Sequence, residues 1–152
     1  DTILLVDENQ KDVSSSAGHS LMDNHPFSMD RYVIAKKNTS ALKIILEKGD
    51  LFAFCELVEK EAMMLHSLMM TSSPSYVLMK PQTLEIMNEI KAFRNMNKVP
   101  VCFTLDAGAN VHVLYPEKDS KSVTDFINSK LSKYCFQAKF IMDHIGKGPQ
   151  II

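Results

Sequence analysis

Asp106 is the residue whose type and setting most invite chemistry. It lies in Val99-Pro-Val-Cys-Phe-Thr-Leu-Asp-Ala-Gly-Ala-Asn-Val-His-Val-Leu-Tyr115, where two apolar runs flank the short segment Asp106-Ala107-Gly108-Ala109-Asn110. The runs are rich in β-branched and aromatic residues and predict buried strands. Gly108 and Asn110 are residue types that tolerate the unusual backbone angles of a tight turn. The spacing therefore predicts Asp106 at the mouth of a sheet, with rigid backbone on both sides. A carboxylate fixed there can orient or deprotonate a substrate hydroxyl. It can also be a turn aspartate that bonds its own backbone, which is the commoner role. The residue types alone leave both readings open.

A second segment, Asp12-Val-Ser-Ser-Ser-Ala-Gly-His19, offers consecutive hydroxyls leading to Gly18. Hydroxyls and accessible backbone N–H groups suit phosphate oxygens, above all where such a loop opens a helix. Serine-rich loops are also commonly just solvated. Neither G-x-x-x-x-G-K-[ST] nor G-x-G-x-x-G occurs in the chain, so the familiar nucleotide fingerprints are missing. His19, His25, His66, His112 and His144 include no pair at helical i, i+4 spacing, which argues against a helix-borne zinc motif. His66, near the apolar face of a long predicted helix, reads as a hydrogen-bonded structural group. His112, between Val111 and Val113, reads as facing away from the core. No Ser/His/Asp assignment fits the spacing.

The elements that must position Asp106 follow from periodicity and punctuation. Residues 2–7 predict a strand and 8–24 a polar loop. Residues 26–47 predict a helix with Pro26 in its first turn, ended by Gly49, with Asp50 capping the next. That next helix, 51–70, carries a stripe of Leu51, Phe54, Cys55, Val58, Ala62, Leu65 and Met69. Its methionines read as core filler, not as a metal or cofactor box. Thr71–Ser75 predicts a loop. Pro81 opens a third helix, 81–97, with Ile86, Met87, Ile90 and Phe93 inward. The strand pair around Asp106 comes next. Asp119 or Ser120 then caps a helix over 120–134, with Val123, Phe126, Ile127, Leu131 and Tyr134 inward. A strand over 138–142 comes last. The short connection at Asp106 demands antiparallel pairing. The expected fold is α+β, a single domain over 1–152 with helices packed on one face of a small antiparallel sheet.

The chain has 152 residues, enough to bury ~70% of its unfolded surface without staples. Its net charge of −1 supplies no basic excess for phosphate backbones, which excludes a dedicated nucleic-acid binder. Cys55, Cys102 and Cys135 are odd in number and widely spaced. A disulfide framework or a structural zinc site is not expected, and a reducing, cytoplasmic setting is. No apolar run approaches the ~20 residues of a membrane span. The chain opens at Asp1, already on a strand-like run. The expectation is that residues upstream are missing, and that an exposed strand at Thr2–Val6 connects to them.

Two of these segments carry a resemblance. Lys11-Asp-Val-Ser-Ser-Ser-Ala-Gly18 resembles the V-S-S-x-x-G-M segment of the diphosphomevalonate decarboxylase family. Val101-Cys-Phe-Thr-Leu-Asp-Ala-Gly-Ala-Asn-Val111 resembles its Y/F-T-x-D-A-G-P-N segment. Between them, Met64-Leu-His-Ser67 is similar to the family's helix-borne H-A-T stretch, and Thr71-Ser-Ser-Pro-Ser-Tyr76 to its proline loop. Order and spacing match over nearly the whole chain, but only against the carboxy-terminal half of that enzyme. The family belongs to the GHMP kinase superfamily, so the resemblance implies a ferredoxin-like carboxy-terminal domain. It further implies phosphorylation of the 3-hydroxyl of mevalonate diphosphate with ATP and Mg²⁺, then loss of phosphate and CO2 to give isopentenyl diphosphate. Asp106 is then the catalytic aspartate beside that hydroxyl. Ser14, Ser15 and Gly18 lie near the substrate's phosphates or the transferring group. The implied partners are the small phosphorylated substrate, an amino-terminal domain of the same enzyme and a second copy in a homodimer.

The chain departs from the family pattern at several positions. Ala109 stands where the family has proline, His19 where it has methionine, and Ser16 where a basic residue is common. Asp23-Asn-His-Pro-Phe27 occupies the region of the family's E-T-S triplet. The superfamily phosphate loop, P-x-G-x-x-S-S-A, occurs nowhere in the 152 residues, so the chain alone is expected not to turn over. Two other readings stand beside the decarboxylase: a related mevalonate kinase acting without decarboxylation, and a non-catalytic α+β interaction domain in which Asp106 only makes a turn.

Overall fold

The computed structural model describes residues 1–8, 20, 22–146 and 148. The serine segment with Ser14, Ser15 and Gly18 lies outside the described residues. Strand β1 spans Thr2–Leu4, helix α1 Ser28–Lys48, α2 Leu51–Thr71 and α3 Pro81–Asn97. Strands β2 (Cys102–Thr104) and β3 (Val111–Leu114), helix α4 (Ser120–Phe126) and strand β4 (Phe140–Met142) follow. The expected order of elements holds, and the fold is α+β.

The four strands form one antiparallel sheet in the order β2-β3-β1-β4. In register, Thr2 faces Val113, Leu4 faces Val111, and Phe103 faces Val113. These five side chains are all fully buried, because period-two alternation sends them to one face. That face packs on Ile86, Met87 and Ile90 of α3 and on Val123 and Phe126 of α4. The rings of Phe93 and Phe126 stack with centroids 4.1 Å apart. Helix α2 lies against β2 and covers this edge of the sheet, which is how an edge strand is kept from pairing with another chain. Cys102, on the opposite side of β2 from Phe103, is fully buried as a result.

Local signals set the helix boundaries. Gly49 ends α1 at φ 68°, a left-handed angle that glycine adopts without steric cost. Asp50 caps α2, its carboxylate accepting the Ala53 N–H at 3.0 Å. Pro81 stands at the start of α3 as expected. Pro26 does not open α1, whose N-cap position is Phe27.

The structure also corrects several expectations. Strand β1 is not exposed. It sits between β3 and β4 and pairs with both, so Thr2 and Leu4 are fully buried. The regular strand ends at Leu4, and two residues on Val6 N–H turns back onto the Leu4 carbonyl at 3.1 Å. The helix expected over 120–134 is α-helical only to Phe126, with a π turn over Ile127–Leu131 and a 3₁₀ turn over Ser132–Tyr134. The wider turn lets Phe126, Ile127 and Leu131 all face the core. Ser129 and Ser132 donate to carbonyls four residues back, at 2.7 and 2.8 Å, a bond that loosens helical turns. Asp119 holds the N-cap position of α4 without a side-chain capping bond.

The stripe on α2 is rotated from its expected position. The buried line runs through Cys55, Glu59, Ala62, His66 and Met69, and it includes two polar side chains that periodicity of apolar residues could not place. Of the clustered methionines, Met69 is buried and Met63 packs on the core, while Met70 is exposed.

Candidate active site

Asp106 follows β2 and Leu105, which is buried, and its side chain is exposed. The next residues bend tightly: Gly108 N–H donates to the Asp106 carbonyl at 2.9 Å. This turn does not use left-handed backbone at Gly108 or Asn110. The positive φ angles among the described residues belong to Gly49, Lys98, Gln137, Ala138 and Gly148. Asn110 contributes its side chain instead, its Oδ1 accepting the Asp7 N–H at 3.0 Å.

Three elements hold this five-residue loop. From α2, His66 Nε2 lies 3.0 Å from the Asp106 carbonyl oxygen. A carbonyl only accepts, so the ring carries its proton on Nε2 and donates it. With the Gly108 N–H, this gives the Asp106 carbonyl two donors. From α3, the Thr83 hydroxyl donates to the Ala109 carbonyl at 2.7 Å. The Thr83 hydroxyl oxygen in turn accepts the Lys80 N–H at 3.1 Å, tying the loop to the first turn of the helix. From the exit of β1, Asp7 bonds Asn110 through its backbone and pairs with Lys80 through its carboxylate. Backbone on both sides of Asp106 is thus fixed while the carboxylate faces outward, which is the arrangement a positioned acid or base needs.

His66 and Thr83 are fully buried. Burial disfavours the imidazolium and pulls His66 below the ordinary histidine range, against the opposing influence of the Asp106 carbonyl and charge. The ring is accordingly neutral at pH 7. Two turns earlier on α2, Glu59 and Arg94 form a bidentate ion pair at 2.5 and 3.0 Å. Arg94 also donates to the Val101 carbonyl at 2.8 Å. This pair joins α2, α3 and the approach to β2, and its charge and hydrogen bonds raise Arg94 further above its usual value. Beside it, Cys55 and Cys102 are buried free thiols.

Two other histidines, His25 and His112, serve the fold. His25 accepts the Phe27 N–H at Nδ1 and bonds the Leu68 carbonyl through Nε2, both at 3.1 Å. His112 alternates with buried Val111 and Val113 as expected and meets the Asp1 carboxylate at 3.0 Å. Two adjoining cavities, of about 420 and 740 Å³, open at the other end of the sheet around Asp1, Tyr115 and Asp143. Neither is lined by Asp106.

Sequence reasoning singled out Asp106 and noted His66, but it missed Thr83 and the Asp7–Lys80 pair as parts of the site. Thr83 had a faint signal. It stands three residues after the N-cap position Lys80, where a side chain can reach back to the cap. Asp7 had none, because its role is set by a strand pairing.

Comparison with known proteins identifies the family of the chain. The family described as mevalonate 5-diphosphate decarboxylase C-terminal domain matches residues 2–151. Phosphomevalonate decarboxylase of Haloferax volcanii is 29% identical over 105 residues, which cover 69% of this chain and 32% of that protein. The structure of mevalonate pyrophosphate decarboxylase from Streptococcus pyogenes superposes with a TM-score of 0.85 at 22% identity, covering 99% of this chain and 45% of the other. MDDEF in complex with MVAPP, AMPPCP and magnesium superposes with a TM-score of 0.79 at 23% identity, over 92% and 42% of the two chains. The chain thus spans less than half the length of these relatives. With a family match over nearly its whole length and a fold in agreement, this chain belongs to the mevalonate 5-diphosphate decarboxylase C-terminal domain family.

Proposed function

We propose that this chain is a single carboxy-terminal domain that supplies the catalytic aspartate of an ATP-dependent diphosphomevalonate decarboxylase. The observation that carries the reading is the Asp106 loop: an exposed carboxylate whose flanking backbone is held by His66, Thr83 and Asn110. In this reading the Asp106 carboxylate accepts a hydrogen bond from the substrate's 3-hydroxyl and orients its oxygen for phosphoryl transfer. Its negative charge then opposes the positive charge that grows on carbon as phosphate departs. Loss of CO2 leaves the electron pair that closes the double bond of isopentenyl diphosphate. Ser14, Ser15 and Gly18 donate hydrogen bonds to the phosphate side of the substrate.

ATP supplies the phosphoryl group and, with Mg²⁺, is assigned mostly to an amino-terminal half of the same enzyme. Among the described residues no group of three His, Cys, Asp or Glu side chains is placed to hold a metal ion. No step above passes through a metal bound to these residues. A cytoplasmic, homodimeric enzyme completes the proposal. No helix among the described residues is long and apolar enough to cross a membrane.

Asp106→Asn in the full-length protein tests the assignment. Asparagine keeps the shape but loses the charge and basicity, so ATP-dependent CO2 release should fall by about 10²–10⁴-fold. Near wild-type turnover refutes the catalytic role. One observation favours a second substrate. The Haloferax volcanii relative is a phosphomevalonate decarboxylase, and this chain has Ala109 and Ser16 where the diphosphate family has proline and, commonly, a basic residue. The ratio of kcat/KM for mevalonate phosphate and mevalonate diphosphate decides between them.

A further inference from the structure

We propose that His66 is a positioning residue for the reaction, acting as a neutral Nε2–H donor that fixes the backbone of Asp106. The inference rests on the reading of Asp106 as catalytic. His66 is fully buried within α2, a helix of 21 residues, and is therefore a rigid mount. Its Nε2 is 3.0 Å from the carbonyl oxygen of the very residue whose carboxylate faces outward. The second donor to that oxygen, Gly108 N–H, belongs to the turn itself. His66 thus ties the turn at Asp106 to helix α2.

The neighbouring anchors do not replace it. Thr83 holds Ala109 and the Asp7 backbone holds Asn110. Both grip the far side of the loop, three and four residues beyond Asp106. Without the His66 donor the peptide at Asp106 can rotate about the remaining turn bond, and the carboxylate shifts with it. Displacement of a catalytic group by about 1 Å costs up to about 10²-fold in rate.

The test uses the full-length enzyme with mevalonate diphosphate and ATP. His66→Leu keeps apolar volume and removes the donor. His66→Gln restores an amide N–H close to the position of Nε2. The expected result is a fall in kcat of about 10–100-fold for His66→Leu with KM changed by less than about threefold, and recovery of most of that loss in His66→Gln. In an Asp106→Ala background, His66→Leu should cost nothing more, because the group it positions is gone. If Asp106→Ala alone retains turnover, the catalytic reading itself has failed. If Asp106→Ala is inactive while folded His66→Leu keeps the wild-type kcat, this inference alone is overturned. Equal losses in His66→Leu and His66→Gln overturn the donor role as well. Should His66→Leu not fold, ¹⁵N NMR of the histidine-labelled wild-type protein still decides: the Nε2–H tautomer supports the proposal, and the Nδ1–H tautomer overturns it.

Discussion

Replacing Thr83 by valine should destabilise the domain far more than the loss of one oxygen atom suggests. The two side chains have nearly the same shape, so the core is left filled. The hydroxyl, however, donates to the Ala109 carbonyl at 2.7 Å and accepts the Lys80 N–H at 3.1 Å. Thr83 is fully buried and Ala109 nearly so, so little water can take over the first bond. Leaving a buried carbonyl without its donor costs about 1–3 kcal/mol, and the half-exposed Lys80 N–H adds about 0.5–1 kcal/mol. Valine recovers part of this, since no hydroxyl has to be stripped of water. The net expectation is about 2–3 kcal/mol. In urea denaturation of the chain this lowers the midpoint by about 1–2 M with an unchanged slope. Thr83→Ser is the control. It keeps the hydroxyl and loses one methyl, at a cost of about 1 kcal/mol. A Thr83→Val protein within 0.5 kcal/mol of wild type, or a Thr83→Ser protein as unstable as Thr83→Val, refutes the claim that the hydroxyl is what anchors the loop (both thresholds being set by the magnitude expected of one hydrogen bond).

Two further outcomes follow from the charges inside the domain. Arg94→Met leaves Glu59 buried without its partner and should cost about 3–5 kcal/mol, whereas the double change Arg94→Met with Glu59→Leu should recover most of that loss; thermal melting of the wild type and these two variants checks this. Because His66 is held below its unfolded value of 6.5, the unfolded chain binds the extra proton as pH falls through that value. His66 therefore adds a loss of stability that begins below about pH 6.5 and is absent above it. Denaturation midpoints measured between pH 7.5 and 5 should drop less steeply in His66→Gln than in wild type.

The sequence by itself determined the local features of this protein. Gly49, Asp50 and Pro81 delimit helices because capping and backbone angles depend only on near neighbours in the chain. The Asp106–Asn110 segment announced a tight connection between strands, and its likeness to a family motif pointed to the aspartate. The interior row of β3 was legible from the alternation of Val111, His112 and Val113.

Tertiary structure decided what holds the site together. His66, Thr83 and Asp7 converge on Asp106, Ala109 and Asn110 only after α2 is laid against β2 and β1 is inserted between β3 and β4. No period within one element encodes those meetings. For the same reason, the buried line of α2 passes through Glu59 and His66, polar residues that an apolar stripe leaves out. Each can be buried because a distant partner, Arg94 or the Asp106 carbonyl, satisfies it. The chemistry offered by Asp106 is written in one residue. Its rigid placement comes from long-range hydrogen bonds that exist only in the folded chain.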